Sequence, residues 1–245
     1  MKKIIMIVAL LLAVTGCSQT SVEEQGKNPV EQQEAEKSLK IDESKEYLYV
    51  ANSVSIDLSE DQKKSVKEGH DVVETLTVNL NSEDAKKVNK TLAQQAKEAE
   101  QAMQKDEQGI QQFTSLTGTC IESSKYITVL TISSPFIWQS EMIPETYTAY
   151  MFSKEDGVLV SQETMLKALD LDDEAVLAKM RTYLKENEFT ICEDMPGDCY
   201  YEPKIYRDDE NFPDTVMYLN EKDQLTVYIQ KSMGHSYEWE PIILA

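Results

Sequence analysis

Val72-Val-Glu-Thr-Leu-Thr-Val-Asn-Leu80-Asn-Ser-Glu-Asp-Ala85-Lys-Lys-Val88-Asn-Lys-Thr-Leu92-Ala-Gln-Gln-Ala96-Lys-Glu-Ala99-Glu-Gln-Ala-Met103 changes period in its middle. Its first nine residues are rich in β-branched side chains and predict a strand. From Asn81 the apolar residues Ala85, Val88, Leu92, Ala96, Ala99 and Met103 recur three or four apart, which places one apolar stripe along a helix. Asn81-Ser-Glu-Asp84 supplies a capping side chain and first-turn acids, and the helix is expected to run to near Gly109. A strand followed by an amphipathic helix needs a sheet to cover, and the rest of the chain supplies strands.

On the N-terminal side, Leu48, Val50, Val54 and Ile56 share one side of an expected strand, followed by a charged connection from Leu58 to Gly69. On the C-terminal side, strands are expected at Phe113–Ile121 and Lys125–Ser133. The second has apolar residues on both faces, which suits a central position. Thr146–Phe152 and Val158–Val160 flank Ser153-Lys-Glu-Asp-Gly157, a hairpin signal. A second helix starts near Asp172 and buries Val176, Leu177, Met180, Tyr183 and Leu184. Strands at Thr215–Leu219 and Leu225–Gln230 surround Asn220-Glu-Lys-Asp, and the chain closes on Ile242-Ile-Leu244. Hairpins joined by two main helices, without repeated βαβ units, predict an α+β fold with a largely antiparallel sheet. The expected domain covers residues 45–245, as one body or as two subdomains meeting near 135–145.

Met1-Lys-Lys precedes a short apolar run that closes on Val14-Thr-Gly-Cys17. The run is shorter than the ~20 residues a spanning helix needs and has the charged, apolar and small-residue zones of an export signal. A cysteine at the cleavage point is the pattern of bacterial lipoprotein signals. Residues 1–16 are therefore expected to be removed, and Cys17 to carry acyl chains of the palmitate type that hold the protein to the outer side of the cell membrane. Residues 17–44 are polar, carry no aromatic side chain and read as a flexible tether.

The 44 acidic residues outnumber the 24 basic ones, for a net charge of −20. Such a chain is repelled by phosphate backbones, so nucleic acid is not an expected partner. The acidic surface suits solubility in a crowded envelope, and it also suits capture of a basic protein or a cell-wall component. With Cys17 consumed by lipid, Cys120, Cys192 and Cys199 remain. Cys192 and Cys199 enclose a Pro-Gly turn and can close as a bridge in an exported protein.

Catalytic signals are sparse. His70 and His235 lie in no nucleophile elbow, the eight glycines form no phosphate loop, and three cysteines with two distant histidines lack zinc spacing. No cofactor and no metal are expected, the acid-rich stretches 170–174 and 208–214 lacking the pattern of a calcium loop. Glycoside hydrolysis needs only two carboxylates at a set separation. The best-placed acids are Glu141 and Glu145, beside Trp138 in Phe136-Ile-Trp-Gln-Ser-Glu-Met-Ile-Pro-Glu145.

The order of parts resembles a bacterial envelope domain family found in the extracytoplasmic region of lysozyme-sensing anti-sigma factors, beside polysaccharide deacetylase domains, and in stand-alone lipoproteins. The matching parts are the unit Val72–Met103 with Val88-Asn-Lys90, the hairpin at Asp156-Gly-Val-Leu-Val-Ser161, the turn Met165-Leu-Lys-Ala-Leu169 and the ending Asp214–Gln230. Gly234 and Tyr237 stand near the place of the family's tyrosine-bearing loop, and Trp138-Gln-Ser-Glu-Met replaces its Gly-Ala-His type segment. The resemblance implies this fold and an extracellular, sensor-like binding role without catalysis; it leaves the ligand unknown, and the acidic, anchored surface suits a basic protein such as lysozyme or a cell-wall component. Trp138, Glu141, Glu145 and Tyr237 are the candidate contacts. The alternative is a carboxylate-dependent envelope glycan hydrolase.

Overall fold

The computed structural model describes residues 45–67, 69–107, 109–140, 143–192, 199–207, 213–232 and 237–244. The signal, Cys17 and the tether lie outside them, as do Glu141, Gly234 and His235. The fold is α+β with a mostly antiparallel sheet. Ten strands and four helices follow in the order β1 (Leu48–Ser55), α1 (Glu60–Lys63), β2 (Val72–Val78), α2 (Glu83–Ala102), β3 (Gln104–Asp106), β4 (Gly109–Glu122), β5 (Tyr126–Ile137), β6 (Thr146–Ser153), β7 (Leu159–Val160), α3 (Gln162–Ala168), α4 (Asp173–Glu186), β8 (Met217–Leu219), β9 (Leu225–Ser232) and β10 (Tyr237–Leu244). Seven strands form one sheet in the order β1-β2-β4-β5-β6-β7, with β3 on β4; β10-β9-β8 form a second. Among the described strands β2 and β4 pair in parallel, because α2 carries the chain back between them, and an isolated parallel bridge joins Ile191 to Tyr200.

The stripe on α2 covers one face of the large sheet. Ala85, Val88 and Leu92 pack on Leu76, Val78, Ile127, Val129 and Phe152, while Ala96 and Ala99 meet Val73, Ile110, Phe113 and Leu116. Ser82 caps the helix by accepting from Ala85 N. The helix stops at Met103, short of the expected Gly109. Beyond it Gln104–Asp106 offers no apolar side chain to extend the stripe, and its backbone pairs with β4 instead.

β5 lies between β4 and β6, and its alternation serves two cores. Ile127 and Val129 face α2, while Tyr126 and Leu130 join the core formed by the second sheet with α3 and α4. Met165, Leu166, Val176, Met180 and Leu184 bring the two helices onto Met217, Val227 and Ile242. β10 is an outer strand with Pro241 at its middle, opposite Tyr228.

Two sequence expectations change here. The period-two pattern of β1 breaks because Ala51 is a bulge between the Val50–Leu76 and Asn52–Thr75 pairs, which leaves Val50 45% exposed. The charged connection contains α1, whose Ser59 and Gln62 form a reciprocal capping box. Gln62 is buried and also donates to the carbonyl of Ile110, tying α1 to β4.

Both α3 and α4 end in a left-handed residue that is not glycine. Past α4, Glu188 has φ 57°, and Phe189 N donates to Leu184 O at 2.9 Å across it. A left-handed residue with a Cβ costs about 1–2 kcal/mol, and an anion at a helix C-terminus adds repulsion from the dipole. Glycine gives back roughly 0.5–1 kcal/mol through its freer unfolded state. Glu188→Gly is therefore expected to stabilise the protein by about 1 kcal/mol, and a urea midpoint at or below wild type would contradict this.

Candidate functional site

β5 runs past β6 at its C-terminal end while staying paired with β4 to Ile137, and the turn that follows builds one wall of a cleft. Trp138 N donates to Gln111 O at 2.8 Å, and Gln139 turns the chain with φ 61°, a left-handed position held by a non-glycine residue. Behind that turn Phe136 stacks on Phe113 at 4.8 Å between ring centres, and Trp138 tilts against Phe136 at 6.3 Å. The chain then returns through Ile143, Pro144 and Glu145 to Tyr147 on β6. The opposite wall is the start of β10, where Tyr237 meets Trp239 edge-on at 6.0 Å. The loop after α1 adds Val66, Lys67 and His70. Together these groups enclose a cavity of about 540 Å³. Both tryptophans of the sequence line it.

Glu145 is the charged centre of the cleft. Its side chain is 19% exposed. Tyr147 donates its hydroxyl to Oε2 at 2.5 Å, while His70 Nδ1 and Lys67 Nζ approach Oε1 at 3.3 Å and 3.6 Å. Burial pushes the carboxyl up. The Tyr147 hydrogen bond, the charges of Lys67 and His70 and the Ser134 hydroxyl together outweigh it, so Glu145 titrates below the ordinary carboxylate range. Burial and the same carboxylate raise Tyr147 far above a free phenol. Ser134 itself is 7% exposed, and its hydroxyl lies near enough to Glu145 to favour the carboxylate while staying beyond ordinary hydrogen-bond distance of it.

Comparison of the chain with family models, with curated proteins and with solved structures finds no match.

Three of the four contacts expected from sequence, Trp138, Glu145 and Tyr237, line this one cleft; Glu141 lies outside the described residues. Trp138 and Glu145 arrive together through local sequence, but Tyr237 is brought in from almost a hundred residues away by the second sheet. Sequence reasoning placed His70 in an ordinary charged loop and overlooked its role against Glu145. Lys67-Glu-Gly-His70 contains no motif that marks it. Trp239 is likewise marked by no motif in the sequence. Cys192 and Cys199 are bridged, and Cys120 on β4 is a half-buried free thiol that burial pushes up to about 11, well away from reactivity. Among the described residues no three His, Cys, Asp or Glu side chains gather as a metal set.

Because the folded state lowers the Glu145 pKa, the carboxylate stabilises the fold fully above the unfolded value of about 4.3. That contribution is lost as pH falls through the lower folded value. Glu145→Gln is therefore expected to lower the melting temperature at pH 7, with the gap to wild type narrowing once pH falls below the unfolded value of about 4.3. A gap between the two proteins that is constant from pH 7 to pH 3 would contradict this.

Proposed function

We propose that this protein is a lipid-anchored extracytoplasmic binding protein without catalysis of its own, which holds an envelope ligand in the cleft between the β5–β6 turn and β10. The observation that carries the reading is the convergence of Trp138, Tyr237 and the pinned Glu145 on one aromatic-lined cavity of about 540 Å³. That volume is within the range of about 300–1,000 Å³ common for ligand sites. The N-terminal Lys-Lys, apolar run and Cys17 support export and acylation at Cys17, with the polar segment 18–44 as tether. No helix of the described residues is long and apolar enough to cross a membrane.

The alternative, a glycan hydrolase, gains some support because Glu145 and Glu238 both line the cleft and both act on Tyr147. Hydrolysis requires one carboxyl to carry a proton for the leaving group. Glu145 is held as an anion by the Tyr147 hydroxyl and by Lys67 and His70 nearby, which suits an anchor for neighbouring side chains better than an acid.

Two measurements test the reading. Mass spectrometry and detergent partition of the expressed protein should show acyl chains on Cys17, and Cys17→Ala should abolish the partition. The chain from Ser18 onward, immobilised and exposed to envelope extract, should retain material that the Trp138→Ala/Tyr237→Ala double variant does not. Equal retention by the two would remove the cleft from the function.

A further inference from the structure

The cleft also indicates what it takes, and this step rests on the binding role proposed above. Three features bear on the ligand. The first is charge. Although the chain is strongly acidic, Glu145 already faces Lys67, His70 and the Tyr147 hydroxyl, so a cationic ligand would compete with resident donors for an occupied carboxylate. An anionic ligand would meet Glu145 and Glu238, both on the lining. Only an uncharged ligand avoids both penalties.

The second is surface chemistry. Trp138 and Tyr237 bring aromatic rings to the lining, while Ser134 contributes a buried hydroxyl near Glu145 that has no partner at hydrogen-bond distance. An unsatisfied buried polar group is costly unless a ligand or water completes it. A molecule with an apolar face and a rim of hydroxyls matches this pairing, and a pyranose ring is such a molecule. The third is access. Gln139 and Ser140 are exposed and belong to the lining, so the cavity is open to solvent and can receive units of a longer polymer.

We infer that the cleft binds a short run of uncharged pyranose rings from a polysaccharide, with the rings against Trp138 and Tyr237 and a sugar hydroxyl on Ser134. Because both tryptophans line the cavity, intrinsic fluorescence reports directly on its occupancy.

The test is a fluorescence titration of the detergent-solubilised full-length lipoprotein with three probes: tetra-N-acetylchitotetraose and cellotetraose, both neutral, and fully de-N-acetylated chitotetraose, which is cationic. Saturable binding is expected for at least one neutral probe, with Kd of about 1 mM or tighter, and weaker binding for the cationic one. Ser134→Ala keeps both fluorophores and should weaken the neutral probe by about three- to ten-fold. Trp138→Ala should weaken it by about ten-fold or more by calorimetry, with Trp138→Phe restoring part of the loss. Circular dichroism checks that each variant is folded. Saturation by neither neutral probe, tighter binding of the cationic oligomer, or wild-type affinity in folded Ser134→Ala and Trp138→Ala would overturn the inference. If envelope retention depends on Trp138 and Tyr237 but no neutral sugar binds, the sugar assignment alone fails. If retention is also independent of those residues, the binding role fails with it.

Discussion

Phe152→Ala is expected to destabilise the protein by about 3–5 kcal/mol, the usual cost of removing a fully buried aromatic ring. Phe152 is 0% exposed and sits on β6 between Ile127 of β5 and Leu159 of β7, with its ring in the core under α2. Helix and sheet both contribute atoms to this position, so the backbone around the missing ring cannot close without moving one of them. Against a typical total of about 5–15 kcal/mol, the loss leaves a protein that urea unfolds at a much lower midpoint. Val158→Ala, immediately before β7 and 46% exposed, serves as the control and should shift stability by less than about 0.5 kcal/mol. Equal midpoints for the two variants would mean that α2 does not depend on this core.

Loss of the Cys192–Cys199 bridge is expected to have the second largest effect. The bridge closes a short loop across a sequence separation of 7. In the chain-entropy account, a loop of this size is worth roughly 2–3 kcal/mol through restriction of the unfolded state. The native state keeps other ties at the same place: Cys192 N donates to Tyr200 O, Tyr200 N to Thr190 O, and Ser232 N to Cys199 O. Those bonds should hold the loop's ends near β9 after reduction, so the fold survives with a lowered melting temperature. Calorimetry of Cys192→Ala/Cys199→Ala should show a drop of about 5–10 °C, and the wild type in strong reductant should follow the variant. A change below one degree in both would show that the backbone ties alone carry the segment.

The sequence was most informative where one local period met one surface. The stripe from Ala85 to Ala99 needed only helix geometry, and the two-faced pattern of Tyr126–Leu130 needed only a strand with cores on both sides. Legibility ended where the deciding partner was distant or small. Nothing in Leu48–Ser55 marks Ala51 as a bulge, since that choice is made by pairing with β2. Ser59 and Gln62 have the spacing of a capping box, but the surrounding charges read as a connection. The site divides in the same way. Trp138 and Glu145 were recognisable as a local aromatic–acid cluster, whereas His70, Ser134 and Trp239 acquire meaning only when the α1 loop, the end of β5 and the start of β10 close on one another.

The outer strand β10 has a consequence for how many copies can live side by side. Molecules tethered to one membrane surface meet far more often than molecules free in solution, and an open sheet margin is where such meetings turn into unwanted fusion of neighbours. Pro241 removes one amide from the middle of that margin, while Glu238 and Glu240 face Lys231 of β9 at 3.9 Å and 3.2 Å. Two such margins brought together would lack a bond at their centre, so in the anchored arrangement proposed above pairing of neighbours through β10 is disfavoured.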